Sequence, residues 1–396
     1  MTPVAKLARQ LIQFDTVTPK DNGILEFIAK YVEQSGFASD IQFFGEGVEK
    51  TGNIYSKFGT NGRNFCFAGH VDVVPVGNEM KWRFPPFSGD IEDGILYGRG
   101  AVDMKGSVAC FIEAADEFIK KHPNFNETIS IMLTGDEEDT GKFGIKEMLK
   151  YLDKKNEKYD ACIIGEPTCE HKMCDSVKLG RRGSVNFEIE FIGVQGHVAY
   201  QDLIKNPITV MAGAIVLLKN HKFDAGDEYF EATNLEFVNV ETDNFERATN
   251  VVPSAAKAMM NIRYNHFQTG EKLVKFVIDI LTENFGKDAF KLSYKISDDA
   301  FFFGETDISK IAVEVMKDVS KNDKIIANCK GGITDGRHII KYCKNAVEVG
   351  LCEEKMHKID ECVAVDDLTA LQEVYVKILE KYFYNIFRDT NFLFFI

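Results

Sequence analysis

No stretch of the sequence approaches the ~20 consecutive apolar residues that a helix needs to cross a bilayer, so no membrane span is predicted. The apolar end, Phe392–Ile396, is far too short to serve as one. Positive charge is in deficit: 47 Lys and Arg against 61 Asp and Glu leave a formal net charge of −14. Nucleic-acid binding rests on a basic face, so that partner class is not expected, and an anionic membrane surface is equally disfavoured. The N-terminus lacks the charged-then-apolar pattern of a signal peptide. The nine cysteines are odd in number and have no framework spacing, which fits reduced thiols in a cytoplasmic protein. Cys169-x-His171-x-x-Cys174 resembles half of a structural zinc site. It has no clear fourth ligand and no second Cys/His pair nearby, so it reads as a loop with free thiols. Tryptophan occurs once, at Trp82, in a Pro- and Gly-containing segment (80–94) that reads as loop, and packing is its expected role. There is no internal repeat and no low-complexity segment.

What is present gathers around Phe65–Gly106. The apolar run Phe65-Cys66-Phe67-Ala68 reads as a buried strand with His70 and Asp72 just beyond its C-terminal end. Ligand sites of open α/β sheets lie at that end of the strands. Asp103 follows the turn Tyr97-Gly98-Arg99-Gly100 and precedes a segment of helical period, Val108 to Phe118. A His-x-Asp pair alone carries little weight, and GDEEDTG alone reads as a solvated acidic turn. The pattern repeats, however. Thr128–Leu133 runs into Thr134-Gly135-Asp136-Glu137-Glu138, and Ala161–Ile164 into Gly165-Glu166-Pro167-Thr168. His357 lies far downstream, in MHKIDE. Carboxylates and histidines standing where strands stop, in a chain with only eight histidines, point to a metal centre.

The motifs HVDVVPVG, LYGRGAVDMKG, GDEE, GEPT, GHVAY and MHKIDE together resemble those of the dinuclear zinc aminoacylase and carboxypeptidase family. They run from near the N-terminus to about residue 370. The resemblance implies an α/β fold: a zinc-peptidase-like catalytic domain with a mixed sheet flanked by helices, plus an inserted α+β lid and dimerisation domain. The residues lead to the same division. Strands alternate with helices up to about residue 180, as in a layered α/β domain. Val185–Phe191 then alternates apolar and polar, as a half-buried antiparallel strand does. The catalytic domain is therefore expected over 1–180 and 297–396, and the inserted domain over 181–296. At ~400 residues the chain exceeds the usual size of a single domain.

The resemblance also implies roles. His70 and Glu166 would hold one zinc, Glu138 and His357 the other, and Asp103 would bridge them, giving two Zn2+ per subunit with Co2+ as a substitute. These residue types suit zinc, which takes imidazole nitrogen and carboxylate oxygen. Asp72 would accept from the His70 imidazole and fix its tautomer. Glu137, left out of the ligand set, would be the general base in hydrolysis of a linear amide. His197, in the inserted domain, would reach the active site of the partner in a homodimer and steady an oxyanion. LGRRGS and GHVAYQDLIKNPI favour a member of the family whose small-molecule substrate carries several carboxylates. Arg181, Arg182 and Arg263 are then candidates to grip it, since guanidinium matches carboxylate bidentately. Ser184, Asn250, Gly332 and Ile333 are further matched positions. Three departures stand out: Asp139 where the family has glycine, Ile333 in a GGITD loop that is usually GGTSD, and Glu353 where asparagine is usual. Glu353 needs a cationic neighbour, for which Lys355 is the candidate. The rival readings are an acetylornithine deacetylase or a metallo-di- or carboxypeptidase of the same family, and a non-catalytic binding module. The intact Glu137 and ligand set speak against the last.

Overall fold

The structure is a computed structural model that describes residues 1–244 and 248–385, so the apolar end at 392–396 lies outside the described residues. Two compact units emerge. The first comprises Met1–Gly180, Phe303–Asn328 and the chain from Thr334 on; the second comprises Arg181–Phe302 and Cys329–Ile333.

The first unit is built on an eight-stranded mixed sheet. Its strand order is Ala38–Phe44, Thr51–Phe58, Thr128–Thr134, Asn64–His70, Ala161–Ile164, Ala346–Glu348, Ser176–Lys178, Ile326–Asn328. The four central strands, from Thr128–Thr134 to Ala346–Glu348, run parallel. Asn64–His70 is buried along its whole length, because both faces of the sheet are covered. Phe65 and Phe67 point to one side. There Phe67 stacks on Phe111 at 4.4 Å, and Tyr375 meets both rings edge-on. Phe111 belongs to the helix Lys105–Lys121 and Tyr375 to the helix Val365–Glu380. Cys66 and Ala68 point the other way, into a cluster with Met132, Met148, Leu149, Leu152 and Ile339. A strand covered on both faces reads as a continuous apolar run rather than an alternating one.

Three short strands of this sheet, Ser176–Lys178, Ile326–Asn328 and Ala346–Glu348, have no counterpart in the sequence reading. Three residues are too few to express a period. The same holds for the small sheet of Ile91–Glu92, Ile95–Tyr97 and Cys362–Ala364, part of which falls in the segment read as loop. Trp82 does pack: its indole N–H donates to the Val76 carbonyl at 2.9 Å. All nine cysteines are free thiols. The Cys169–Cys174 loop is shaped by Asp175, whose carboxylate accepts from the main-chain N–H groups of Glu170, His171 and Lys172 at 2.8–3.0 Å. No helix among the described residues is long and apolar enough to cross a membrane.

The second unit carries a four-stranded antiparallel sheet in the order Asn234–Thr242, Ala255–Tyr264, Gly183–Ile192, Phe290–Asp298. Val185, Phe187, Ile189 and Phe191 alternate onto one face. They pack against Met211, Ala214 and Leu218 of the helix Pro207–Lys219 and Leu273, Val277 and Leu281 of the helix Gly270–Phe285. Both helices begin at capped ends. Asn206 accepts from the Ile208 N–H ahead of Pro207, and Thr269 accepts from the Lys272 N–H. The unit extends past residue 296 because Phe290–Asp298 is a full strand of its sheet. It also takes in Cys329–Ile333. That segment is tied to it by the Cys329 N–H on the Tyr229 carbonyl (3.0 Å) and by Arg181 Nη1 on the Lys330 carbonyl (2.9 Å).

Candidate metal centre

The register of the parallel strands determines what meets at their C-terminal edge. His70 pairs with Thr134, and Ala68 with Ile164. His70 therefore ends its strand level with the start of Gly135–Glu138 on one side and of Gly165-Glu166 on the other. Asp103 is brought in from the turn before the helix Lys105–Lys121. His357 comes from the loop after the short helical turn Glu353–Lys355. It holds a left-handed φ of +62°, which L residues rarely adopt.

Two ligand groups result, His70/Asp103/Glu166 and Asp103/Glu138/His357, each with its donor atoms within 4.8 Å of one another. Asp103 belongs to both. Its Oδ1 lies 3.1 Å from His70 Nε2 and its Oδ2 lies 3.1 Å from His357 Nε2. Glu166 Oε1 is 3.8 Å from His70 Nε2, and Glu138 Oε1 is 3.0 Å from His357 Nε2. Bonds of ~2.0–2.1 Å to a tetrahedral ion put neighbouring ligand atoms about 3.3 Å apart. The donor set and its spacing thus fit two divalent cations.

Hydrogen bonding prepares His70 for such a role. Its Nδ1 lies 2.9 Å from the main-chain carbonyl of Asp72, which can only accept. Nδ1 therefore carries the proton when the ring is neutral, and the Nε2 lone pair faces the carboxylates. The Asp72 carboxylate was expected to do this but stands 3.6 Å from Nδ1. It is occupied elsewhere, accepting from Thr18 Oγ1 (2.7 Å), the Glu137 N–H (3.2 Å) and the Glu138 N–H (3.0 Å). Asp72 thus orients the Glu137-Glu138 segment, and its backbone fixes the imidazole. Asp136 closes the following loop by accepting from the Thr140, Gly141 and Phe143 N–H groups at 2.9–3.2 Å. The left-handed residue of that loop is Gly141, so Asp139 is not asked for a glycine conformation.

The electrostatics describe a crowded anionic site. Burial, then Glu166, pushes the Glu137 carboxyl well above its ordinary value, and burial raises Glu138. Asp335 is pushed up to about 7, mainly by burial. Burial opposes charge on His70, but Asp103, Glu166 and Asp72 outweigh it and hold the imidazole well above its ordinary value. Hydrogen bonds to Asp103 and Glu138 raise His357 to about 10. Without cations the His357 imidazole therefore holds its proton at neutral pH, and a metal must displace it. Loading metal-free protein with Zn2+ at pH 7 is expected to release protons, with apparent affinity rising as pH climbs toward 10. Calorimetry in buffers of different ionisation enthalpy measures this, and the absence of proton release at pH 7 would contradict it.

The other expected site residues lie in the second unit. Arg181 is buried and held on the Lys330 carbonyl. Arg182 donates to Asn234 Oδ1 at 3.0 Å and pairs with Glu231 at 3.4 Å. Arg263 sits opposite Ser184 in the sheet, and burial, then the Arg182 charge, lowers its pKa. Ser184 accepts from Asn261 Nδ2 at 2.9 Å. His197 is exposed, and its Nδ1 accepts from the Ala199 N–H at 3.1 Å. The Asn250 carbonyl accepts from the Val198 N–H at 3.1 Å. Gly332 and Ile333 lie in the tied segment Cys329–Ile333. In the first unit, Lys355 pairs with Glu354 at 3.6 Å rather than with Glu353. Asp335, expected only as part of a substrate-binding loop, has a buried carboxylate that contributes to raising Glu137. It is the last residue of the GGITD loop, which was the available signal.

A family model described as peptidase family M20/M25/M40 matches residues 66–381. The chain is 42% identical over 382 residues to a succinyl-diaminopimelate desuccinylase of Ehrlichia ruminantium (strain Gardel), covering 95% of this chain and 97% of that protein. It is 40% identical over 375 residues to the protein of the same name from Rickettsia bellii (strain RML369-C), covering 94% of each. Among solved structures, an M20 family metallo-carboxypeptidase from Sulfolobus solfataricus superposes with a TM-score of 0.76 at 17% identity, over 96% of this chain and 99% of that one. A Bacillus subtilis protein described as a dinuclear metal binding peptidase of the M20 family gives 0.66 at 12% identity, over 95% and 96%. These two likenesses concern the fold.

Proposed function

The chain belongs to peptidase family M20/M25/M40, and from that membership we infer a metal-dependent amidohydrolase that cleaves N-succinyl-LL-2,6-diaminopimelate to succinate and LL-2,6-diaminopimelate. The substrate follows the name of relatives about 40% identical over nearly the whole chain; lysine and diaminopimelate biosynthesis would be its pathway and the cytoplasm its compartment. The observation that carries the chemistry is Asp103, with one oxygen 3.1 Å from each of two imidazoles.

His70 and Glu166 would hold one ion, Glu138 and His357 the other, and Asp103 would bridge them; zinc suits this nitrogen and oxygen donor set. Two such ions, when bound, supply the Lewis acidity that lowers the pKa of a water and polarises the scissile carbonyl. Glu137 belongs to neither ligand group. It accepts the water's proton as the oxygen attacks the amide carbon, then gives that proton to the leaving amine nitrogen. Arg181, Arg182 and Arg263 would receive substrate carboxylates, with Ser184, Asn250, Gly332 and Ile333 beside them.

The second unit would serve as lid and dimerisation domain. Its helix Pro207–Lys219 leaves Ile208 and Val216 exposed. The strand Asn234–Thr242, outermost in its sheet among the described residues, leaves Val238 and Val240 exposed. Apolar surface along an outermost strand supports pairing with a second copy. With Nδ1 engaged as an acceptor, neutral His197 carries its proton on Nε2, free to donate to an oxyanion in the partner's site.

The test is hydrolysis of N-succinyl-LL-2,6-diaminopimelate by zinc-loaded protein, with N-acetylornithine and a dipeptide in parallel, over a dilution series. Chelator-sensitive turnover of the succinyl substrate, with specific activity falling as dimers dissociate, is expected. Preference for N-acetylornithine or the dipeptide would move the protein to a sister activity. Specific activity independent of dilution, in protein that sediments as a monomer, would remove the role of His197.

A further inference from the structure

Two charged side chains of the first unit, Arg99 and Glu361, take no part in the proposed chemistry and are almost completely buried, 2% and 0% exposed. They pair through Arg99 Nη1 and Glu361 Oε2 at 2.6 Å. Burying an ion pair rarely stabilises a fold more than apolar packing would, so what this pair holds in place becomes the relevant question.

Its other contacts are to main chain next to candidate metal ligands. Glu361 Oε1 accepts from the N–H of Val102 at 2.9 Å and from the N–H of Asp103 itself at 3.2 Å. Arg99 Nη2 donates to the His357 carbonyl at 3.5 Å and to the Pro75 carbonyl at 3.3 Å, and Nη1 donates to the Lys358 carbonyl at 3.2 Å. The guanidinium also lies 5.2 Å from the centre of the Trp82 ring, over its face. One pair thus joins the chain beyond His70, the Asp103 turn and the His357 loop. That loop has little packing of its own: His357, Lys358 and Ile359 are exposed, and both His357 (φ +62°) and Asp360 (φ +58°) are left-handed. The planar five-donor guanidinium can meet a carboxylate and several carbonyls together, which an ammonium cannot.

We propose that the Arg99–Glu361 pair is a positioning device that fixes the Asp103 main chain against the His357 loop and so sets the affinity of the cation site those two residues share. This rests on the dinuclear reading above.

The test is titration of metal-free protein with Co2+, followed by visible absorption and equilibrium dialysis, in wild type, Glu361→Gln and Arg99→Lys. Glu127→Gln serves as control, since Glu127 takes three hydrogen bonds from Arg63 in the same unit. Wild type is expected to bind two equivalents. In Glu361→Gln and Arg99→Lys the Kd of at least one equivalent is expected to rise about 10- to 100-fold, as for other outer partners of metal ligands. Glu127→Gln is expected to melt lower while keeping both wild-type Kd values. Arg99→Lys retains the buried positive charge and carries the test if Glu361→Gln does not fold. Unchanged Kd values in both variants, or an equal shift in Glu127→Gln, would overturn the proposal. Fewer than two equivalents in wild type would instead bring down the dinuclear reading, and this inference with it.

Discussion

Glu137→Ala is expected to lower kcat by about 100- to 10,000-fold, the contribution typical of a general base, while the protein still binds two metal equivalents. The argument starts from the main chain. The Asp72 carboxylate holds the N–H groups of both Glu137 and Glu138. Glu138 is directed to His357, and Glu137 falls in neither ligand group. Its carboxyl is half-buried, and burial and Glu166 push its pKa well above the ordinary value. A carboxyl that favours the proton is suited to take one from water and hand it to an amine. Glu137→Asp keeps the group but shortens its reach, and should retain part of the rate. Metal analysis beside steady-state kinetics separates the possibilities. Wild-type turnover in Glu137→Ala would remove the residue from the mechanism, and loss of a metal equivalent would make it a ligand.

Asp103→Ala is expected to leave fewer than two metal equivalents after dialysis and to cost more activity than the ~10- to 100-fold typical of an outer partner. Its two oxygens face different imidazoles, so one truncation withdraws a donor from both groups at once. Four other candidates serve one group each: His70, Glu166, Glu138 and His357. Truncating any of these should weaken one equivalent and spare more of the other. Asp103→Asn keeps a single acceptor oxygen of the same length, so it should rank between wild type and alanine in metal content. Two tightly bound equivalents in Asp103→Ala would show that the shared carboxylate is not the link between the sites.

Much of this was already written locally in the chain. Phe65-Cys66-Phe67-Ala68 is apolar at every position, which a strand covered on both faces requires. Val185–Phe191 alternates because its sheet has one packed face. The residues that follow each strand are fixed by chain continuity, so His70, Glu137, Glu138 and Glu166 could be named from the sequence as a group at one edge. Other features depended on groups far apart in the chain. The Asp72 carboxylate reaches the Glu138 N–H across 66 residues, and Glu361 reaches the Asp103 N–H across 258. The three-residue strands Ser176–Lys178, Ile326–Asn328 and Ala346–Glu348 exist only because neighbouring strands from distant parts of the chain supply their hydrogen bonds. Periodicity and chain continuity act over a few residues and can be read along a line. The partner a buried carboxylate takes is settled only when distant segments close around it and desolvation makes an unpaired charge costly.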